Sequence, residues 1–149
     1  MASFTVKQHV NAPVERVFDL ASDFAGCPKF INGIKKIEML TPGPVGVGTR
    51  FKETRIMFKK EATETMEVVA WDPPRGYALG AESCGATIRS DLRFLSKDGG
   101  TRIEMTTSWT ANSFFAKLMS PLGALMAGSM KKMVQKDLDD LAASIERQG

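Results

Sequence analysis

Residues Asn112 to Gly149 read NSFFAKLMSPLGALMAGSMKKMVQKDLDDLAASIERQG, and the fold turns on this stretch. At about 100° per residue, Phe115, Leu122, Met126 and Met133 fall within roughly 40° of one another, one narrow apolar stripe on a helix. Val134, Leu138, Leu141 and Ile145 make a second stripe about 100° further round. The pattern predicts one helix from Ser113 to Arg147, roughly 50 Å long and bent near Pro121. It lacks the sustained a/d heptads of a coiled coil, so the rest of the chain must cover it. The first stripe, ending at Met133, is expected to face a different surrounding from the second, which clamps the helix to its cover. Asp137 lies about 40° round from Phe115, in line with the first stripe, and marks where that first surface ends.

The cover is a set of strands. In the run before the helix, Ile88, Leu92 and Phe94 alternate with Arg89, Asp91 and Arg93; Asp98-Gly99-Gly100 turns the chain; and Ile103, Met105, Thr107 and Trp109 share a face. Upstream, the turn Asp72-Pro73-Pro74 precedes a shorter strand with Tyr77 and Leu79 on one face. Thr49 to Trp71 reads as a hairpin with its tip at Lys59-Lys60; Glu61, Glu64 and Glu67 at spacing three would suit a helix, but Thr63, Thr65, Val68, Val69 and Trp71 favour strands. Ile34 to Leu40 is another strand, followed by the loop TPGPVGVG. Nearer the start, Ala2 to Val10 alternates as a half-buried strand, with Gln8 out of place on the apolar side. Residues 13 to 23 read as a helix opened by Pro13, and Pro28 to Ile31 as a short second helix anchored by Phe30, after Gly26 and Pro28 break the pattern. The order is strand, two short helices, six strands, long helix, an α+β chain expected to form a single domain over residues 1–149.

Composition excludes several functions. A net charge of +3, with bases interleaved among acids, calls for no nucleic acid. Cys27 and Cys84 are far apart, as reduced cysteines in a cytoplasm would be, and no signal peptide pattern opens the chain. The longest uncharged run, Leu118 to Met130, contains Pro121 and is too short to cross a bilayer. His9 is the single histidine and falls on the polar side of its strand, so no metal centre and no Ser-His-Asp triad is expected. The glycines of PVGVGTRF lead into a strand and not a helix N-terminus, which is the wrong geometry for a phosphate cradle. They shape a loop, and that loop is a candidate border of a cavity mouth. No cofactor is expected.

The order of elements, together with NAPVERVFDLASDFAGCPKF, PVGVGTRF, AWDPPRGYAL and the Gly-Gly turn before the last helix, resembles the START-like helix-grip superfamily, also called SRPBCC. Within it the chain is most similar to the polyketide cyclase/dehydrase group, over nearly all of residues 3 to 147. The resemblance implies a seven-stranded curved antiparallel sheet gripping the long helix, with an apolar cavity between sheet, long helix and the two short helices. It also implies a lipid, polyketide, quinone or hormone as ligand, or cyclase and aromatase activity. The expected lining is Phe30, Phe51, Leu79, Leu92, Phe94, Met105, Thr107 and Trp109 from the sheet side. From the long helix and its approach come Phe115, Leu118, Met119, Leu122, Met126, Met130 and Met133, the methionines equally at home in plain core packing.

Chemistry beyond burial needs polar groups on an inward face. Glu64 lies among Ala62, Met66, Val68 and Ala70, and Glu53 alternates with Phe51, Arg55 and Met57. A solvated strand face is the simpler reading of both. A buried one would have a raised pKa and become a candidate general base, while a Glu53–Arg55 pair would be structural or ligand-orienting. Three functions follow: a binding protein for a hydrophobic or amphipathic small molecule, a cyclase or dehydratase using a cavity carboxylate, and a membrane-surface or partner-docking module using Leu118 to Met130 with Lys131, Lys132 and Lys136. The protein is expected to be a monomer or homodimer, with peripheral membrane contact as its one approach to a bilayer.

Overall fold

The computed structural model describes residues 2–57, 59–83, 86–111 and 120–148, with side chains omitted at 2, 57, 83, 111 and 120–127. Seven strands, β1 (Ala2–Val10), β2 (Ile34–Met39), β3 (Arg50–Met57), β4 (Lys60–Asp72), β5 (Gly76–Ser83), β6 (Ala86–Lys97) and β7 (Gly100–Ala111), form one sheet. Helix α1 (Val14–Ala21) and a 3₁₀ turn (Phe24–Lys29) join β1 to β2, and α2 runs over Ser120–Gln148. The sheet order is β1-β7-β6-β5-β4-β3-β2, antiparallel throughout. This is the helix-grip arrangement: a curved sheet with the long helix against its inner face and the short helices closing one end.

Hairpin chemistry explains the run of six strands. At the β6–β7 tip, Asp98 and Gly99 both have positive φ, 51° and 77°, as a tight two-residue hairpin turn requires. Lys59 takes the left-handed conformation at the β3–β4 tip. Between β4 and β5, Arg75 forks onto the Asp72 carboxylate, with Nη2 donating to Oδ1 at 2.7 Å. Gly76 follows because a Cβ there would lie 2.4 Å from the Leu92 carbonyl oxygen. Glu61, Glu64 and Glu67 therefore sit in a strand, where β-branched neighbours outweigh their helical spacing.

One element differs from its sequence reading. The second short helix begins upstream, at Phe24, and contains both Gly26 and Pro28, whose local signal is for a break. Asp23 is the reason: its carboxylate accepts from the Gly26 N–H at 3.2 Å and so caps the turn. Phe30 falls just after it, buried as the anchor it was expected to be.

The core lies between sheet and α2. Val10, Val17, Phe51, Val68, Ile103 and Ile145 are fully enclosed, and Val134, Leu138 and Leu141 extend the same surface along the helix. The second helical stripe thus does clamp α2. Arg16 Nη2 donates to the Ile145 carbonyl at 3.0 Å, which satisfies a carbonyl near the helix C-terminus. Gln8, the polar residue on the apolar side of β1, faces Gln135 of α2, whose Nε2 donates to Gln8 Oε1 at 3.3 Å. His9 is exposed and contacts Asn11, and no group of three or more potential metal ligands exists among the described residues. The start of the long helix and the bend at Pro121 fall outside or at the edge of the described residues. No described helix is long and apolar enough to cross a membrane.

Candidate functional site

A cavity of about 180 Å³ lies between the inner face of the sheet, the 3₁₀ turn and α2. Its floor is aromatic. Phe24 stacks on Phe51 with centroids 4.7 Å apart, and Tyr77 stands edge-on to Phe24 at 5.4 Å. The Tyr77 hydroxyl is satisfied by donating to the Ala21 carbonyl at 3.0 Å, and burial pushes its pKa far up, so it remains a neutral donor. Leu79, Leu92, Met105 and Thr107 line the sheet side, and Met130 and Met133 the helix side.

Of the expected lining, the structure thus brings together Phe51, Leu79, Leu92, Met105, Thr107, Met130 and Met133. Phe30 and Phe94 do not line the cavity: each is spent on core packing, Phe94 edge-on to Phe18 at 5.4 Å. Trp109 does not line it either and packs on Phe4 at 5.9 Å. Phe115, Leu118 and Met119, and the side chains of Leu122 and Met126, lie outside the described residues. The Pro-Gly loop after β2 contributes nothing to the wall. Its glycines at 43 and 48 have φ near +90°, and their work is to turn the chain. The two stripes of α2 are less separate in role than their angles implied, because Val134, Leu138 and Leu141 reach the wall beside Met130 and Met133.

The wall carries one concentrated polar feature. Arg55 on β3 is 9% exposed, and two carboxylates hold it from different elements. Its Nε donates to Glu53 Oε2 at 3.3 Å on the same strand, and its Nη2 to Asp137 Oδ2 at 2.8 Å on α2. Period-two alternation puts Glu53 and Arg55 on one face of β3, and the helical position of Asp137 in line with Met130 and Met133 turns it to the same place. Glu64 sits opposite Glu53 in the β3–β4 register, and it too lines the cavity. Both candidate carboxylates therefore face inward, against the simpler reading of a solvated face. The third nitrogen of the guanidinium, Nη1, is buried without a hydrogen-bond partner.

Burial raises the pKa of Glu53, with Arg55 opposing and Asp137 and Glu64 adding to the rise. Asp137 is raised in the same way, burial first and Arg55 opposing. For Arg55 burial works to lower the pKa, but the two carboxylates together outweigh it and the net shift is upward, so the guanidinium stays charged. Cys27 also lines the cavity, and burial, helped by Glu53, pushes its thiol up to about 12. Cys27 is therefore a protonated, weakly polar part of the wall and no nucleophile.

Alternation in β3 and the stripe on α2 each pointed to one half of the Arg55 cluster. No sequence signal joined Asp137 to Arg55, because the pair spans 82 residues. Phe24 and Cys27 join the wall because the turn that carries them starts upstream of Pro28, and Ile31 joins it just beyond that turn.

A curved seven-stranded antiparallel sheet gripping a long helix over a cavity is the architecture of the START-like helix-grip proteins. The chain belongs to the polyketide cyclase/dehydrase and lipid transport family, whose profile matches residues 1–146. Solved structures share the fold. An aromatase/cyclase from a Streptomyces species is 17% identical with a TM-score of 0.78, covering 99% of this chain and 94% of that one. A START superfamily protein from Mycobacterium smegmatis is 12% identical with a TM-score of 0.78, covering 99% of both. Norcoclaurine synthase from Thalictrum flavum is 15% identical with a TM-score of 0.70, covering 99% of this chain and 95% of that one. No curated protein matches the sequence.

Proposed function

We propose that this protein binds a hydrophobic or amphipathic small molecule in the cavity between sheet and α2, and that residues 1–149 act as one binding domain. The observation that carries this reading is the wall itself: an apolar cavity of about 180 Å³ in which, among the described residues, Arg55 with Glu53 and Asp137 forms the buried polar cluster. Apolar surface removed from water drives binding at about 25 cal/mol per Å², and the few polar groups fix orientation. An apolar cavity of about 150 Å³ is enough to take up benzene, so the described space admits at least one ring. Native mass spectrometry after exposure to lipid and metabolite extracts should show a retained adduct. The Leu79→Trp variant, which fills the cavity from the sheet side, should lose it. Only unliganded protein in both samples would sink the reading.

A second reading has its own observation. Glu53 and Glu64 face one another at the wall, and burial raises the Glu53 pKa, the direction that makes a carboxylate a stronger base. In that reading the protein is a cyclase or dehydratase that takes a proton from carbon beside a carbonyl of a bound polyketide chain. Cyclisation of a short poly-β-ketone should then fall by about 10²-fold or more in Glu53→Gln. Unchanged turnover in both Glu53→Gln and Glu64→Gln removes these residues from the role.

A further inference from the structure

The two edges of the sheet are treated differently. At β1 the long helix reaches over, and Gln135 Nε2 donates to the Lys7 carbonyl at 3.2 Å. β2 ends the strand order on the other side, and no described strand pairs with its far edge. Its hydrogen bonds to β3 fix which groups are left open there. The Leu40 N–H donates to the Arg50 carbonyl at 2.9 Å, so by antiparallel alternation Leu40, Glu38 and Lys36 direct their backbone groups at β3. Ile37 and Met39 therefore turn N–H and C=O outward, while their side chains pack inward on the core. An edge of this kind is a template for another strand.

Charge narrows what that strand is. Lys36 and Glu38 are exposed, and among the described residues neither has an ion-pair partner within the subunit, whereas Lys35 beside them is held by Glu61 at 2.7 Å. When a second copy of β2 approaches antiparallel about a two-fold axis, outward-facing residues must meet outward-facing residues, which leaves three registers through the middle of the strand. Centred on Lys36 or on Glu38, like charges stand directly opposite each other. Centred on Ile37, Lys36 of each copy stands opposite Glu38 of the other, and the attraction is made twice. The same register sets Leu40 of one copy opposite Ile34 of the other, at the end of the interface where Ile56 lies on β3; Leu40 and Ile56 are both 43% exposed. Pairing stops at two copies, because the contact consumes the open edge and β1 is covered.

We infer that β2 is a homodimer surface, on which two copies join antiparallel about Ile37 into one continuous sheet, with a Lys36–Glu38 pair on each side of the two-fold axis. The run Lys36-Ile37-Glu38, read backwards, is complementary to itself, and that is what selects a second copy of this chain as the partner. A strand pairing buries less than a standard interface, so the dimer is weak and concentration-dependent. It is independent of what the cavity holds.

Sedimentation equilibrium of the whole chain, up to millimolar protein, should show the mass rising from that of one chain to that of two. Lys36→Glu and Glu38→Lys each turn both attractions into repulsions and should each weaken association by about tenfold or more. Both side chains are exposed, so neither change disturbs the core. Mixed in equal amounts, the two variants present opposite charges to one another and should recover the wild-type association as a heterodimer. Amide hydrogen exchange gives a second readout: Ile37 and Met39 should slow as wild-type concentration rises, while Glu38, bonded to β3, stays slow throughout. A wild-type protein that remains a monomer overturns the inference. So does a dimer that neither charge reversal weakens, since it uses another surface. A mixture that fails to recover association rejects the register centred on Ile37, and exchange at Ile37 that ignores concentration rejects the edge as the contact; either result overturns the inference.

Discussion

Arg55 is a cation suspended between two acids from different elements, and its surroundings determine how the protein responds to pH. Glu53 and Asp137 are both raised by burial, which outweighs the attraction of Arg55. In the unfolded chain such groups titrate near about 4. The native state therefore holds more protons in the interval above that value, and the contribution of these two groups to stability falls as pH rises through their native pKa values, then levels off. Glu53→Gln removes one such group. Urea unfolding of wild type and variant should show the stability difference moving in favour of the variant as pH rises from about 4 to about 8; a difference constant across that range would reject the assignment. At Cys27 the consequence is chemical. A thiol pushed up to about 12 by burial is protonated at ordinary pH, so in a Cys84→Ser background iodoacetamide should label the folded protein at least about a hundredfold more slowly than the denatured one. Labelling at the denatured rate would mean that the thiol is open to solvent.

At the scale of elements, α2 has two duties on adjoining surfaces. Ile145 is fully enclosed against the sheet, whereas Met133 borders the cavity and is half-buried. Truncating Ile145 to Ala opens a void in close-packed surroundings and should cost about 2–5 kcal/mol in denaturant unfolding. Met133→Ala enlarges a space that already exists, so few packed neighbours are lost and the cost should be about 1 kcal/mol. Equal costs would mean that the cavity side is as tightly packed as the clamp. The difference follows from the sequence: after Met133 the apolar positions move round the helix, and Asp137 stays behind in the earlier line to meet Arg55.

For the whole molecule, strand order and helix pattern were legible because each depends on short-range rules: alternation in β6 and β7, the Asp98-Gly99 turn, and the stripes of α2. The displaced 3₁₀ turn was not, because one capping carboxylate, Asp23, overrides what Gly26 and Pro28 signal locally. The site was half legible. Inward-facing positions such as Phe51, Leu79, Leu92 and Met105 follow from period two, but curvature decides which of them reach the cavity, and so Phe94 became core while Ile88 and Ser90 joined the wall. A ligand present at about 100 times its Kd should stabilise the folded state by about 2.7 kcal/mol and raise Tm by about 5–10 °C. Thermal unfolding with the ligand retained in native mass spectrometry checks this, and an unchanged Tm at saturation would show that binding is not to the folded state.

The sheet order also sets a timetable for synthesis. Every neighbouring pair of strands from β2 to β7 is joined by a local connection, but β1 pairs with β7, Val10 opposite Thr101. The ribosome makes β1 early and its partner late. At about 5–20 residues per second, the strand waits on the order of 5–20 s before its hydrogen-bonding edge can be covered. During that interval Val6 and Val10, fully or nearly buried at the end, are open to other chains and to chaperones. Crowded, rapid expression should therefore penalise this protein through its first strand, well before the cavity that gives it a function exists.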